Sequence, residues 1–336
     1  MRKGLDLGLI LGMAAAAMLL AGTGCGGGDD AAGAGGGSLS LVAYSTPREA
    51  YEEIIPAFQK TGPGRGVSFD QSYGGSGEQS RAVEAGLPAD VVALSLAPDI
   101  ARLVDAGLVA DDWDSDEYQG MVSDSVVVFV VRKGNPEDIR TWDDLTRDGI
   151  EVITANPFTS GGARWNVMAG YGARLELGES EQEATSYLER LFANVAVQDK
   201  SARESLQTFA GGKGDVLLAY ENEAITAQAK GEDVDYVVPD QKILIENPVA
   251  VTTDAPEQAQ AFVDFLRTPK AQRIFAEKGY RPVLESILAA TDYPAPSKLF
   301  TIADLGGWDT VSEKFFDREQ GVMARIEQGL GVATDD

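Results

Sequence analysis

The sequence predicts an α/β protein of two lobes with a cleft between them. Three observations carry that reading. From near Ser38 onward, β-type runs alternate with helix-periodic segments, the pattern of a largely parallel sheet covered by helices. The alternation is interrupted by Ser125 to Arg132, SVVVFVVR, the longest β-branched run in the chain, and resumes after it. A later run, Asn247 to Thr252, looks like a strand returning to the first set. Two α/β lobes joined by extended segments make a hinge. In open α/β sheets ligands sit at the carboxyl ends of strands, where helices begin.

Length and composition bound the function. The 336 residues suffice for two ordinary domains with a well-buried core. With 53 acidic and 28 basic residues the formal net charge is -25, a poor match to nucleic acid or to anionic lipid surfaces. Histidine is absent from the sequence, which removes Ser–His–Asp and Cys–His catalysis and every histidine-containing zinc site. A single cysteine rules out an intrachain disulfide.

That cysteine closes an export-type segment. Arg2 and Lys3 give a charged start, Leu7 to Ala21 is apolar, and Gly22-Thr23-Gly24 precede Cys25. The run is short and ends in glycine, so it reads as a signal peptide (1–24) rather than a span. Small residues before Cys25 resemble a bacterial lipobox, with Gly22 where leucine is usual, and imply lipid on the Cys25 thiol. Residues 25–37, rich in Gly, Ala and Asp, read as a flexible tether.

The elements follow in order. Leu39 to Tyr44 is a strand, and Arg48 to Lys60 a helix with Tyr51, Ile54, Ile55 and Phe58 on one face. Val67 to Gln71 is a strand, Glu78 to Glu84 a helix, Val91 to Ser95 a buried-type strand and Pro98 to Asp105 a helix. After Ser125 to Arg132 a short helix is expected around Trp142 and Leu145. Then come strand Ile150 to Ala155 and helix Ala163 to Glu176. Helices Glu181 to Phe192, Ala202 to Ala210 and Glu223 to Ala229 alternate with strands Val195 to Gln198, Val216 to Ala219 and Val234 to Val238. Pro256 to Arg267 and Pro269 to Lys278 are helices with proline in the first turn. One amphipathic helix, Val311 to Gly321, is expected in the tail.

Four strand-to-helix junctions share one chemistry. They are Tyr44-Ser45-Thr46-Pro47-Arg48, Tyr73-Gly74-Gly75-Ser76-Gly77, Thr159-Ser160-Gly161-Gly162 and Lys200-Ser201-Ala202-Arg203. Each puts small or hydroxyl residues where a helix should start. A helix start leaves N–H groups pointing outward with the positive end of the dipole behind them, a ready site for an anion. Gly161 and Gly162 let a ligand approach the backbone closely, and Ser76 offers a hydroxyl as a further donor. Charge-assisted hydrogen bonds to a desolvated anion contribute roughly 1.5–3 kcal/mol each, so a handful reach micromolar binding without a facing cation. Arg164 and Arg203 are either counter-charges near this site or ordinary surface arginines with i,i+4 partners.

Other patterns carry less. Asp112-Trp113-Asp114-Ser115-Asp116 alternates acids like a calcium loop but lacks the glycine at the sixth position and an acid at the twelfth. Gly211-Gly212-Lys213-Gly214-Asp215 has no phosphate-loop spacing. Gly74 to Glu78 fails the nucleophile-elbow pattern, and no histidine exists to activate Ser76. No metal site and no cofactor are expected. An ester hydrolase is the alternative of a different class, and the absence of histidine speaks against it.

The stretches NPxxSGGARWN, xSYGGSGxQ, ADVVxL, VRKGNPxxIxxWxDL, GDVLxAYENEA and YRP, in order from about Leu39 to Trp308, resemble the periplasmic sulfate-binding proteins of ABC importers. The resemblance implies a type II periplasmic-binding-protein fold, with lobe 1 at 38–124 and 246–295, lobe 2 at 125–245 and a C-terminal extension at 296–336. It implies a non-enzymatic receptor that binds sulfate, with thiosulfate or another tetrahedral oxyanion as the alternative. The partners implied are the permease and ATPase of an importer, for a monomer tethered to the membrane through Cys25. The ligand positions carried over are Ser45, Ser76, Ser160, Gly161, Gly162, Ala202 and Tyr220. Ser45 stands where the family has aspartate, and Tyr220 where it has an indole donor.

Overall fold

A computed structural model describes residues 36–293 and 298–332. The export segment, Cys25 and most of the tether lie outside the described residues. The first half of the chain runs β1 (Ser38–Tyr44), α1 (Arg48–Phe58), β2 (Ser68–Gly74), α2 (Ser76–Glu84), β3 (Val91–Ala93), α3 (Ala97–Asp105) and β4 (Met121–Arg132). A 3-10 turn at Trp142–Thr146 leads to β5 (Val152–Ala155), α4 (Gly161–Glu176), α5 (Glu181–Ala193), β6 (Val195–Asp199) and α6 (Ala202–Ala210). Next come β7 (Val216–Tyr220), α7 (Glu221–Ala229), β8 (Val234–Val237) and β9 (Gln241–Val251). The chain ends with α8 (Glu257–Leu266), α9 (Pro269–Glu277), β10 (Arg281–Pro282), α10 (Glu285–Leu288), β11 (Lys298–Phe300), α11 (Gly307–Phe316) and α12 (Val322–Leu330).

The strands form one mixed sheet in the order β2-β1-β3-β9-β4-β7-β5-β6, with β10 and β8 also on β4 and β11 on β9. Pairing is parallel at the two ends, β1 with β2 and β3, and β5 with β6 and β7. In the middle β9 is antiparallel to β3 and to β4, and β4 is antiparallel to β7. The expected largely parallel sheet therefore holds for each end and fails at the centre. β4 explains why: its first half, Met121 to Val126, pairs with β9, and its second half, Val127 to Val131, pairs with β7. One long strand thus passes from one end of the sheet to the other, as a crossing between lobes must.

The run SVVVFVVR is apolar at every second-half position because both faces of β4 are covered. Val127, Phe129 and Val131 pack into the largest core cluster. Val126, Val128 and Val130 pack on the other face with Leu206, Phe209, Ala224 and Ala227 from α6 and α7. At the opposite end Val42 and Val92 meet Ile100 and Leu103 of α3.

Three expectations shift. The strand expected at Asn247 begins at Gln241, because pairing with β4 and β11 overrides the polar Lys242 and Glu246. The helix expected from Ala163 starts at Gly161, since the Ser160 hydroxyl accepts the Ala163 amide at 3.4 Å and caps it there. The tail helix expected over Val311 to Gly321 starts and ends earlier, as α11 (Gly307–Phe316), and a second helix, α12, follows from Val322. Asp317 accepts the amides of Glu319 at 3.0 Å and Gln320 at 2.7 Å, a local turn that ends α11 before α12 begins.

Candidate functional site

Three of the four junctions start helices, α6 at the residue expected and α2 and α4 two residues earlier. Gly161 and Gly162 are the first two residues of α4, behind the Ser160 cap. Ala202 opens α6 behind Ser201, whose hydroxyl accepts the Glu204 amide at 3.3 Å. Ser76 opens α2. The Ser45 junction differs. α1 is led in by Pro47, whose carbonyl accepts the amides of Ala50 and Tyr51 at 3.0 Å each, so Ser45 lies ahead of the helix rather than at its start.

The three helix starts meet at one seam. A methyl built on Gly162 would lie 3.5 Å from Ser160 Oγ, 3.5 Å from Tyr220 Cε1 and 3.6 Å from Ala202 Cβ. One on Gly75, the residue before α2, would lie 2.7 Å from the Thr159 carbonyl oxygen and 3.0 Å from that of Lys200. One on Gly161 would lie 2.7 Å from Leu96 Cδ2 and 2.9 Å from Ser95 Oγ. Gly75 and Gly161 are close-approach residues between the two ends of the sheet, and Gly162 is one between the starts of α4 and α6. The Glu78 amide donates across the seam to the Thr159 carbonyl at 3.3 Å, and the Thr159 hydroxyl donates to the Lys200 carbonyl at 2.8 Å. Among the described residues, the amides of Ser76, Gly161, Gly162 and Ala202 donate to no protein acceptor, as first-turn amides do.

Ser95, two residues past the end of β3, was not singled out from the sequence. Its hydroxyl shares a 2.6 Å hydrogen bond with the Tyr220 hydroxyl. Its amide donates to Ser76 Oγ at 2.9 Å, and its carbonyl accepts the Trp165 indole N–H at 2.8 Å. The signal that could have found it is the one used elsewhere, a hydroxyl residue between a strand and a helix start, here in Leu94-Ser95-Leu96-Ala97-Pro98.

The Ser76 hydroxyl, expected to face a ligand, is committed inward. It donates to Asp99 Oδ2 at 2.5 Å and accepts from the Ser95 amide. The donor Ser76 leaves available is its amide. Asp99 is 2% exposed, and burial raises its pKa against the pull of Arg164, the Ser76 hydrogen bond, Arg102 and Arg81.

The two arginines near the site are not loose counter-charges, and neither relies on an i,i+4 partner. Arg164 donates from Nε to the Pro157 carbonyl at 2.9 Å and lies 4.9 Å over the Phe316 ring. Burial lowers its pKa, with Asp99 opposing. Arg203 binds Glu223 at 2.8 Å and 3.1 Å, the Thr46 carbonyl at 3.2 Å, and Glu49. Burial would lower the Arg203 pKa, but Glu223 and Glu49 outweigh it and hold the guanidinium charged. The seam can therefore supply amide and hydroxyl donors beside two anchored arginines, of which Arg203 has its charge matched by Glu223 and Glu49. Among the described residues no group of acidic or cysteine side chains could hold a metal ion, and no helix is long and apolar enough to cross a membrane.

A sheet that passes one long strand between two α/β ends, with buried donors at the seam, defines a class: two-lobed solute-binding proteins. The chain belongs to the bacterial extracellular solute-binding protein family, whose model matches residues 39–281. It is 44% identical over 307 residues to the sulfate-binding protein of Synechococcus elongatus, covering 87% of each chain. It is 38% identical to the sulfate-binding protein of Escherichia coli, covering 82% of this chain and 88% of that one. Among solved structures it resembles the sulfate-binding protein SubI of Mycobacterium tuberculosis H37Rv. The TM-score there is 0.81 and the identity 47%, covering 83% of this chain and 99% of that one.

Proposed function

We propose that this chain is an extracytoplasmic receptor that closes its two lobes on sulfate and delivers it to a membrane permease driven by an ATPase. The observation that carries this reading is the meeting of the α2, α4 and α6 starts at one seam, with the amides of Ser76, Gly161, Gly162 and Ala202 free of protein acceptors among the described residues. Sulfate is fully ionised at neutral pH and needs only donors. Helix-start amides, the Ser160 hydroxyl and Tyr220 provide donors. The buried Asp99 carboxylate is occupied by the Ser76 hydroxyl. An anion that carries its own proton needs a facing acceptor, and phosphate is disfavoured for that reason. The relatives named for sulfate binding support the same assignment. In this reading the lobes are 38–124 with 246–295, and 125–245, and β4 and β9 are the hinge strands. Ser45 enters this reading through its neighbour Thr46, whose carbonyl accepts Arg203 of α6, rather than through a helix start.

The protein acts as a monomeric carrier, not an enzyme, held at the outer face of a membrane by lipid on Cys25. Calorimetric titration with sulfate, thiosulfate, molybdate and phosphate tests the ligand. The expected result is strong sulfate binding and a large deficit for phosphate. Detergent partitioning of the full chain against Cys25→Ser tests the anchor, and the variant is expected in the aqueous phase. A full chain that stays aqueous contradicts the anchor and leaves the ligand assignment standing.

A further inference from the structure

We infer that Ser95 and Tyr220 act as one shared hydroxyl donor to the bound oxyanion, which makes Ser95 a ligand-binding residue in its own right. The inference rests on the sulfate reading above. The two hydroxyls are 2.6 Å apart, on residues 0% and 1% exposed, so their mutual hydrogen bond excludes water. Two hydroxyls carry two protons, and one proton occupies the bond between them. The other has no protein acceptor among the described residues. A buried O–H left without an acceptor is costly, so a ligand oxygen is the natural partner for it.

The position fits. Ser95 Oγ lies 2.9 Å from the methyl position of Gly161, and Tyr220 Cε1 lies 3.5 Å from that of Gly162. The Ser95 hydroxyl thus lies against Gly161 and the Tyr220 ring against Gly162, the two residues that open α4. Ser95 is held for the role by its backbone. Its amide is fixed on Ser76 Oγ and its carbonyl on the Trp165 indole, which leaves the hydroxyl rotor as its freedom. Either proton order works. If Ser95 donates to Tyr220, the phenol proton is free, and if Tyr220 donates to Ser95, the serine proton is free. The pair therefore supplies a single donor that survives loss of either member.

A double-mutant cycle tests this. Sulfate affinity is measured by calorimetry for the full chain, Ser95→Ala, Tyr220→Phe and the double variant, with thermal unfolding of the ligand-free proteins as the check on folding. Each single variant is expected to lose less than about five-fold, and the double roughly ten- to a hundred-fold beyond the product of the singles. Losses that simply multiply overturn the inference. So does a Tyr220→Phe loss already as large as that of the double, which leaves Ser95 a mere support for Tyr220. Ser95→Cys, with a weak thiol donor of similar size, runs the same cycle should Ser95→Ala/Tyr220→Phe fail to fold. Failure of the unaltered chain to bind sulfate sinks the sulfate reading and this inference together, whereas normal binding with multiplying losses sinks this inference alone.

Discussion

Arg203, in the first turn of α6, grips Glu49 of α1 from the opposite end of the sheet with a forked pair of hydrogen bonds, one of them 2.7 Å long. Lys230 joins the same carboxylate at 2.5 Å. The side chains of Arg203 and Glu49 are only 16% and 17% exposed, so this pair is shielded from solvent where most ion pairs are not. It exists only while the two ends are together, and it therefore favours the closed arrangement. Glu49→Gln keeps the shape and removes the charge. It should weaken sulfate binding by about 2 kcal/mol, roughly thirty-fold, and shift the ligand-free protein toward a larger radius of gyration in solution scattering. An unchanged affinity contradicts a closing role for the pair.

Acid should act on the same contact. Burial pushes the Glu49 pKa up, but bonds from Arg203 and Lys230 outweigh it and bring it from 4.5 to about 2. A depressed carboxylate contributes closure that is fully present above its ordinary value and lost as pH falls through the lowered one. Sulfate affinity should hold from pH 8 to pH 5 and decline below about pH 4.5 toward pH 2. Glu49→Gln should flatten that decline. A titration series of both proteins across this range checks it.

Asp124 titrates with the opposite sign. Burial, with the nearby Glu246 charge, raises its pKa to about 7, against the pull of Arg281. The folded chain thus holds a proton that the unfolded chain releases, and stability falls as pH rises from 3.8 towards about 7. Asp124→Asn should raise the unfolding midpoint at pH 8 by on the order of a few degrees and leave it nearly unchanged at pH 4. Equal shifts at both values contradict the assignment.

The glycines at the seam should be intolerant for a reason visible only in three dimensions. Gly75 has ordinary extended angles, φ -62 and ψ 135, so alanine strains nothing locally. Its methyl meets two backbone carbonyls at 2.7 Å and 3.0 Å, which cannot move aside while the seam is shut. Gly161→Ala meets Leu96 Cδ2 at 2.7 Å and Ser95 Cβ and Oγ at 2.9 Å each; the leucine tip and the hydroxyl can turn, whereas the Cβ is held by its backbone. Overpacking of this kind costs typically 1–3 kcal/mol, so affinity should fall about ten- to a hundred-fold, with Gly75→Ala the worse of the two. Ligand-free unfolding midpoints should stay close to that of the unaltered chain. A folded Gly75→Ala with normal sulfate affinity removes this contact from the closing surface.

What could be read from the sequence is what short-range physics controls. The capped starts at Ser160 and Ser201 follow from residues within one turn, and the predicted helix Ala202 to Ala210 matches α6 at both ends. Long-range commitments were not legible. Ser76 meets Asp99 from 23 positions away, and Arg203 meets Glu49 from 154. No local pattern told an arginine on a buried clamp from one in solvent, or a hydroxyl facing a ligand from one facing a carboxylate. The start of β9 was hidden because Lys242 and Glu246 break the apolar run, while pairing with β4 decides the matter. Ser95 was within reach, since its junction carries a serine between a strand and a helix start as the others do, and a proline as the Ser45 junction does.

The central claim is that amide and hydroxyl dipoles at the seam, rather than free cations, hold a fully ionised oxyanion in a chain of net charge -25. Calorimetric titration of the full chain with sulfate and with phosphate, at low and at moderate sodium chloride, tests it most directly. Dipoles in a closed cleft are little screened, whereas exposed cations are strongly screened. The predicted result is micromolar or tighter sulfate binding, nearly the same at both salt concentrations, with phosphate far weaker. Equal affinity for phosphate, or a steep loss of sulfate affinity with salt, contradicts the claim.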